Sequence, residues 1–166
     1  MAMRPTAASA SPRSVCAPCA ACAGTRVWTP GTGPLPPPPG SGRGRPATRL
    51  RRDAEHQPVT LQTLAMRLPA RTWRRVTWRA GTQGELSSRF AAMRVRPAHR
   101  DPQRAAPWPD EGRLIEWPNG DAEPAKYGFS NLPRRTPLRR LVQVAKARWW
   151  IERDDQERKQ ELGLGH

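Results

Sequence analysis

The chain has 166 residues, with 29 Lys and Arg against 14 Asp and Glu, so its formal net charge is +15 and its pI near 11.6. That length suits one domain, yet Leu, Ile, Val and Phe together supply only 23 residues, few for a full core. No apolar run is long enough for a membrane span, and the three cysteines are too few for a disulfide framework. The expected class is a basic, core-poor, non-membrane protein whose partner is a polyanion.

Residues 1–56 form the first region. No acid occurs before Asp53, while Arg4, Arg13, Arg26, Arg43, Arg45, Arg49, Arg51 and Arg52 are all basic. The opening residues, with Arg4 and Arg13 and no apolar stretch, do not read as a secretory leader. Ten of the 20 prolines fall in this region, including the run Pro36 to Pro39. Proline fixes φ and removes a backbone donor, so the region is expected to be disordered or extended. The string Ser41-Gly42-Arg43-Gly44-Arg45-Pro46 suits a phosphate backbone, and equally suits a basic linker with no specific partner.

Residues 57–135 read as β-rich. A short helical spacing, Val59, Leu61, Leu64, Ala65 and Leu68, stops at Pro69. Four strands follow: Trp73 to Arg79, Arg89 to Arg96, Arg113 to Trp117, and Lys126 to Ser130 after the turn signal Asn119-Gly120. Val76 and Trp78 share one face of the first, and Gly81-Thr82-Gln83-Gly84 reads as a turn. The expectation is an antiparallel meander with arginines on its exposed faces.

Residues 136–166 read as one long helix. Thr136 suits the N-cap, Pro137 the first helical position, and Gly163 the stop. Leu138, Leu141, Val142, Ala145 and Trp149 keep helical spacing. About 26 residues make a rod of about 39 Å, which alone is marginal and needs a body to lie against.

Few groupings carry chemistry. Cys16, Cys19 and Cys22 lack a fourth ligand for zinc or an iron–sulfur cluster and read as incidental. His56 and His99 have no nucleophile in a recognisable setting and read as surface residues. On the last helix, Arg148, Glu152, Asp155 and Lys159 project from one face at i, i+4, i+7 and i+11. An acid between cations on a rigid helix suits metal binding beside phosphates, and the same spacing describes a solvated face with weak salt bridges.

The string from Leu141 to His166 closely resembles the C-terminal catalytic segment of bacterial insertion-sequence transposases of the DDE type. The group in question has a β-rich insertion and a Tyr-x2-Arg-x3-Glu-x6-Lys signature. Arg148, Glu152 and Lys159 match that spacing, while Ala145 stands where the tyrosine would be. Further matching strings are Leu114-Ile115-Glu116-Trp117-Pro118, Lys126-Tyr127, Ser130-Asn131-Leu132-Pro133, Thr136-Pro137 and Thr77-Trp78-Arg79. The likeness covers residues 26–166, and residues 1–25 are expected to match nothing, as a frame-shifted start would.

The resemblance implies an α+β fold: a partial ribonuclease-H-like domain, an antiparallel β insertion and a long C-terminal helix, after a disordered N-terminus. It implies Glu152 as the third catalytic carboxylate and a ligand to Mg²⁺, with Arg148 and Lys159 on DNA phosphates. Arg79 and the strand arginines would neutralise phosphates, and Trp78 or Trp73 would either stack on an unpaired base or sit half-buried in the sheet. Asp155 lies outside the signature and reads as a helix-surface charge. The family's two other catalytic aspartates lie upstream of the insertion, where this chain has no acid. Family members also continue beyond the position of His166. The expected protein is therefore a truncated transposase, inactive alone, whose helix and insertion have lost the sheet they would pack on. Its partners would be transposon-end DNA and a second copy or a full-length transposase in a mixed dimer, in the cytoplasm at the bacterial nucleoid. The alternative is a stand-alone basic nucleic-acid-binding or regulatory protein.

Overall fold

A computed structural model describes residues 20–40, 42, 44–81 and 84–148. These residues form a small α+β arrangement around a six-stranded antiparallel sheet. The strands are β1 Arg26–Trp28, β2 Val59–Thr60, β3 Arg74–Gly81, β4 Gly84–Pro97, β5 Glu111–Trp117 and β6 Lys126–Ser130. Helix α1 is Leu61–Met66, and a second helix, α2, begins at 138 and is described as far as 148.

β4 organises the sheet. Its first half pairs with β3 from Gly84 to Phe90, and its far end pairs with β1 through Arg96 and Pro97. β5 pairs with it from Arg89 to Val95, and β6 then pairs with β5, so β3 to β6 form the expected meander. The strand can run this far because, between Gly84 and Pro97, the chain holds no Gly or Pro to break the ladder. A bulge at Trp78 shifts the β3–β4 register, so Thr77 faces Ser87 and Arg79 faces Leu86. Gly120, at φ 90°, supplies the left-handed turn before β6.

Both faces of the sheet are covered. On one face Val27, Val95, Ile115 and Tyr127 meet Leu61, Leu64 and Ala65 of α1. On the other, Phe90 and Leu114 meet Val142 and Ala145 of α2, with Val76, Trp78, Leu138 and Leu141 at the margin. The arginine-lined meander thus has two apolar faces, and α2 packs on its β3, β4 and β5. Few apolar residues suffice because Phe90, Ala91, Leu114, Ile115, Leu61, Val27 and Val142 are all fully buried. Each large one contributes about 1.5–3 kcal/mol.

Two further expectations change. Part of the segment read as disordered is built into the sheet, since Val27 and Trp28 in β1 are buried against β4. The Trp28 indole N–H donates to Asp101 Oδ2 at 2.6 Å, and Arg52 donates to the same oxygen at 3.3 Å and to the Ala98 carbonyl. Asp101 is 1% exposed, so this buried clip ties residues 26–52 to the sheet despite their prolines. Leu35 also bridges Arg51. The second change is at α2: Leu141 N–H donates to the Pro137 carbonyl, so the helix starts one residue later than the sequence suggests and Thr136 is not its cap.

One ion pair fixes how α2 sits. Lys146 Nζ lies 2.8 Å from both carboxylate oxygens of Glu116 on β5, and the Ser88 hydroxyl donates to Glu116 Oε1 at 3.1 Å. Glu116 is 2% exposed and Lys146 9%. Removing one partner strands a buried charge, so Lys146→Met is expected to cost about 3–5 kcal/mol. Adding Glu116→Gln to Lys146→Met should recover most of that loss, and equilibrium urea unfolding of the two variants measures both. A single variant as stable as the parent would show that the pair does not hold the helix.

Candidate nucleic-acid interface

The exposed cations gather where β3 meets the beginning of α2. Arg74 and Arg75 on β3, with Thr77, line a shallow cleft whose other wall is Leu138 and Arg139. Arg74, Arg75 and Arg139 are exposed, and none has a carboxylate partner among the described residues. The approach to α2 adds Arg134 and Arg135, and its first turn adds Arg140, all exposed. No acid lies between 131 and 148 to balance them.

This placement runs against local helix physics. The N-terminal end of a helix carries a partial positive charge and unpaired N–H groups, so cations there are unfavourable by a few tenths of a kcal/mol each. Four arginines in residues 134–140 therefore weaken α2 in isolation, and an anion seated at that helix end would offset the cost.

The residues singled out from the sequence fall in three groups. Arg79 on β3 and Arg148 on α2 are exposed. Lys146 faces the sheet, and Arg148, two residues on, is turned about 200° from it. Glu152, Asp155 and Lys159 lie outside the described residues, as do Cys16, Cys19 and Trp149. Trp78 is half-buried: its ring meets Phe90 edge-on at 5.7 Å, and Lys146 Nζ lies 4.1 Å from its centroid. Its ring is therefore a wall of the Lys146 site. Trp73 meets Trp117 edge-on at 5.1 Å, and the Arg89 guanidinium lies 4.1 Å from the Trp117 centroid.

Several engaged residues escape a reading of the sequence. Lys146 and Glu116 form the buried pair, and Asp101 holds Trp28. Trp108 stacks on His99 with centroids 5.8 Å apart, lies 3.5 Å from the Arg104 guanidinium, and donates its indole N–H to the His99 carbonyl. A usable signal exists for Lys146, since it follows Val142 at the i+4 spacing of an inward face. Asp53 caps a small turn, its Oδ1 accepting from the Glu55 and His56 backbone N–H groups and lying 2.7 Å from the His56 ring nitrogen, and the His56 side-chain hydrogen bond holds the Asp53 carboxyl below its usual range. Cys22 packs against the core beside α1.

The described residues do not fit a divalent metal centre. No group of three His, Cys, Asp or Glu among them comes together to hold an ion. Their two buried carboxylates with structural partners are engaged, Glu116 by Lys146 and Ser88 and Asp101 by Trp28 and Arg52. No helix among the described residues is long and apolar enough to cross a membrane.

Burial holds Lys146 below the usual lysine range, against the opposing pull of Glu116. The unfolded chain therefore binds this proton more tightly, and stability rises as pH climbs from the lowered folded value towards 10.5. Burial raises the Tyr127 hydroxyl, which gives the opposite slope above 10.0. The Lys146 contribution is isolated by unfolding the parent and Lys146→Met across alkaline pH, because the tyrosine is common to both. The parent alone gains from the lysine, so its lead over the variant should widen as pH rises towards 10.5. A lead that narrows over that interval would reverse the assigned direction.

No curated protein and no solved structure matches the chain. The family model described as a DDE superfamily endonuclease matches residues 8–85. That stretch begins inside the segment expected to match nothing, which corrects the reading of residues 1–25, and it ends at the start of β4, upstream of Arg148. Over just under half its length, from the N-terminal segment through α1 and β3, the chain is similar to the DDE superfamily endonucleases.

Proposed function

We propose that the chain is a DNA-binding protein derived from a bacterial insertion-sequence transposase of the DDE type, and that by itself it does not cut DNA. The sheet then corresponds to the β-rich insertion of a ribonuclease-H-like transposase domain, and α2 to the helix that brings the third carboxylate, Glu152. The observation that carries the reading is the exposed collar of Arg74, Arg75 and Arg139, without carboxylate partners, in a chain similar to DDE endonucleases. These three arginines neutralise backbone phosphates, a sequence-independent contribution that is sensitive to salt. By the resemblance of their spacing to the family signature, Arg148 and Lys159 would add phosphate contacts.

We infer the absence of cutting from ligand supply: two Mg²⁺ ions need several carboxylates around one point, and no acid precedes Asp53, where the resemblance would put two of them. A protein that occupies transposon ends without cutting them would restrain a full-length transposase, by competition or in mixed dimers.

Fluorescence anisotropy with duplex DNA at several salt concentrations tests the binding. Combined Arg74→Ala, Arg75→Ala and Arg139→Ala should lower the slope of log affinity against log salt by about 2.7, or about 0.9 per lost phosphate contact. An unchanged slope would place the DNA elsewhere. Incubation of labelled transposon ends with Mg²⁺ should leave both strands intact. Efficient cutting that disappears in Glu152→Gln would overturn the claim of inactivity.

A further inference from the structure

A polar cleft of about 270 Å³ opens at the far end of β4, where the chain leaves β1. Arg94 and Arg96 of β4 line it, together with the loop Thr29-Pro30-Gly31-Thr32-Gly33-Pro34 and Asp110 just before β5. Strand register brings these residues to one side of the sheet. Arg94 and Arg96 alternate with Val95, which belongs to the α1 core, so both point to the α2 side. Trp28 pairs with Arg96, so the loop leaves the sheet beside that residue, and Glu111 pairs with Val95, so Asp110 comes opposite Arg96. The contacts agree: Arg96 Nε donates to Asp110 Oδ1 at 3.1 Å, and Arg94 donates to the Asp110 carbonyl at 2.7 Å and the Leu132 carbonyl at 3.4 Å. A Cβ on Gly33 would lie 2.8 Å from Arg96 Nη1, so the loop backbone rests directly on that guanidinium.

The loop holds its shape without a ligand. Pro30 and Pro34 fix φ at two positions, Gly31 takes φ 84°, and Thr32 donates its N–H at 3.0 Å and its hydroxyl at 2.8 Å to the Thr29 carbonyl. Gly31 and Gly33 keep backbone N–H groups that no acceptor among the described residues takes. Arg94 gives two guanidinium N–H groups to carbonyls and Arg96 gives its Nε–H to a carboxylate, and their other N–H groups have no acceptor among the described residues. All of these remaining groups are donors, so the ligand they suit is an anion that accepts several hydrogen bonds. Two guanidinium groups against the one carboxylate of Asp110 leave a single positive charge. One singly charged phosphodiester balances it, whereas a doubly charged phosphate monoester exceeds it.

We propose that this cleft clamps one backbone phosphodiester of DNA, with Arg94 and Arg96 on its non-bridging oxygens and the Gly31 and Gly33 N–H groups closing over it. The clamp rests on the reading of the chain as a DNA-binding protein and is independent of the β3 collar. Arg74 pairs with Phe90 and shares the α2 side of the sheet, and Arg96 lies about 20 Å further along β4 at about 3.3 Å per residue. A duplex rises about 3.4 Å per base pair, so one duplex reaches both places within about six base pairs.

Two measurements on the whole chain test it. In fluorescence anisotropy with duplex DNA, Arg94→Gln combined with Arg96→Gln should lower the slope of log affinity against log salt by about 0.9, since both arginines hold one phosphate; two separate contacts would lower it by about 1.8. Thr32→Glu, an exposed change that puts a carboxylate on the cleft, should lower the slope by the same single contact and weaken binding about tenfold. Thr32→Gln should stay close to the parent in both. This pair differs by charge alone and keeps the test decisive if thermal melting shows that the arginine variant does not fold. In NMR titration, dimethyl phosphate should shift the Gly31 and Gly33 amide resonances saturably in the parent and in Thr32→Gln, but not in Thr32→Glu. Inorganic phosphate should bind more weakly. An unchanged salt slope in both the arginine variant and Thr32→Glu overturns the clamp, as do amides that dimethyl phosphate leaves unmoved. The larger fall in slope, or tighter binding of inorganic phosphate, overturns the assignment of a single diester. If the β3 variant still lowers the slope while the cleft variants do not, this proposal fails and the DNA-binding reading stands. If no duplex binds at any salt, the DNA-binding reading fails and the clamp on DNA fails with it, whatever dimethyl phosphate does.

Discussion

The contact between Lys146 and Glu116 governs the rest of the arrangement. Apolar packing alone would let α2 rotate or slide over Phe90 and Leu114, because small side chains such as Val142 and Ala145 give a smooth seam. A buried ammonium that reaches two carboxylate oxygens at once permits one rotation only. Trp78 and Phe90 flank the ammonium at 4.1 and 5.7 Å, so the pair is enclosed by rings and its geometry is held on several sides. The exposed position of Arg148 follows from that rotation.

Much of the fold is legible in the sequence because strands with alternating pattern and clear turns announce themselves. β6 has the bounds read from the sequence, and β3 and β5 differ only at their ends. β4 begins five residues earlier than its apolar pattern, at Gly84, because Glu85, Ser87 and Ser88 are polar, Leu86 is exposed, and the four pair only with β3. α1 is shorter than its spacing suggests, since Val59 and Thr60 are drawn into β2. β1 is hidden by composition: ten prolines outweigh two adjacent residues, Val27 and Trp28, that pair between β2 and β4.

The site is less legible for a physical reason. Charged residues are ordinarily read outward, so Lys146 and Glu116 draw no notice although each stands at an inward register position. The stripe of Glu152 and Lys159 is legible by spacing, but it lies outside the described residues. Arginines placed at the positive end of α2 form a pattern the sequence does contain, once the helix start is known.

The shared strand β4 has a consequence for how this architecture can vary. Along one stretch of backbone it serves β3 and β1 on one edge and β5 on the other. Inserting or deleting a single residue near its middle would turn Phe90 away from α2 or Val95 away from α1, emptying one core to fill neither. Length changes are thereby steered into the connections, and the fourteen-residue strand acts as a ruler that keeps the two halves of the protein in step.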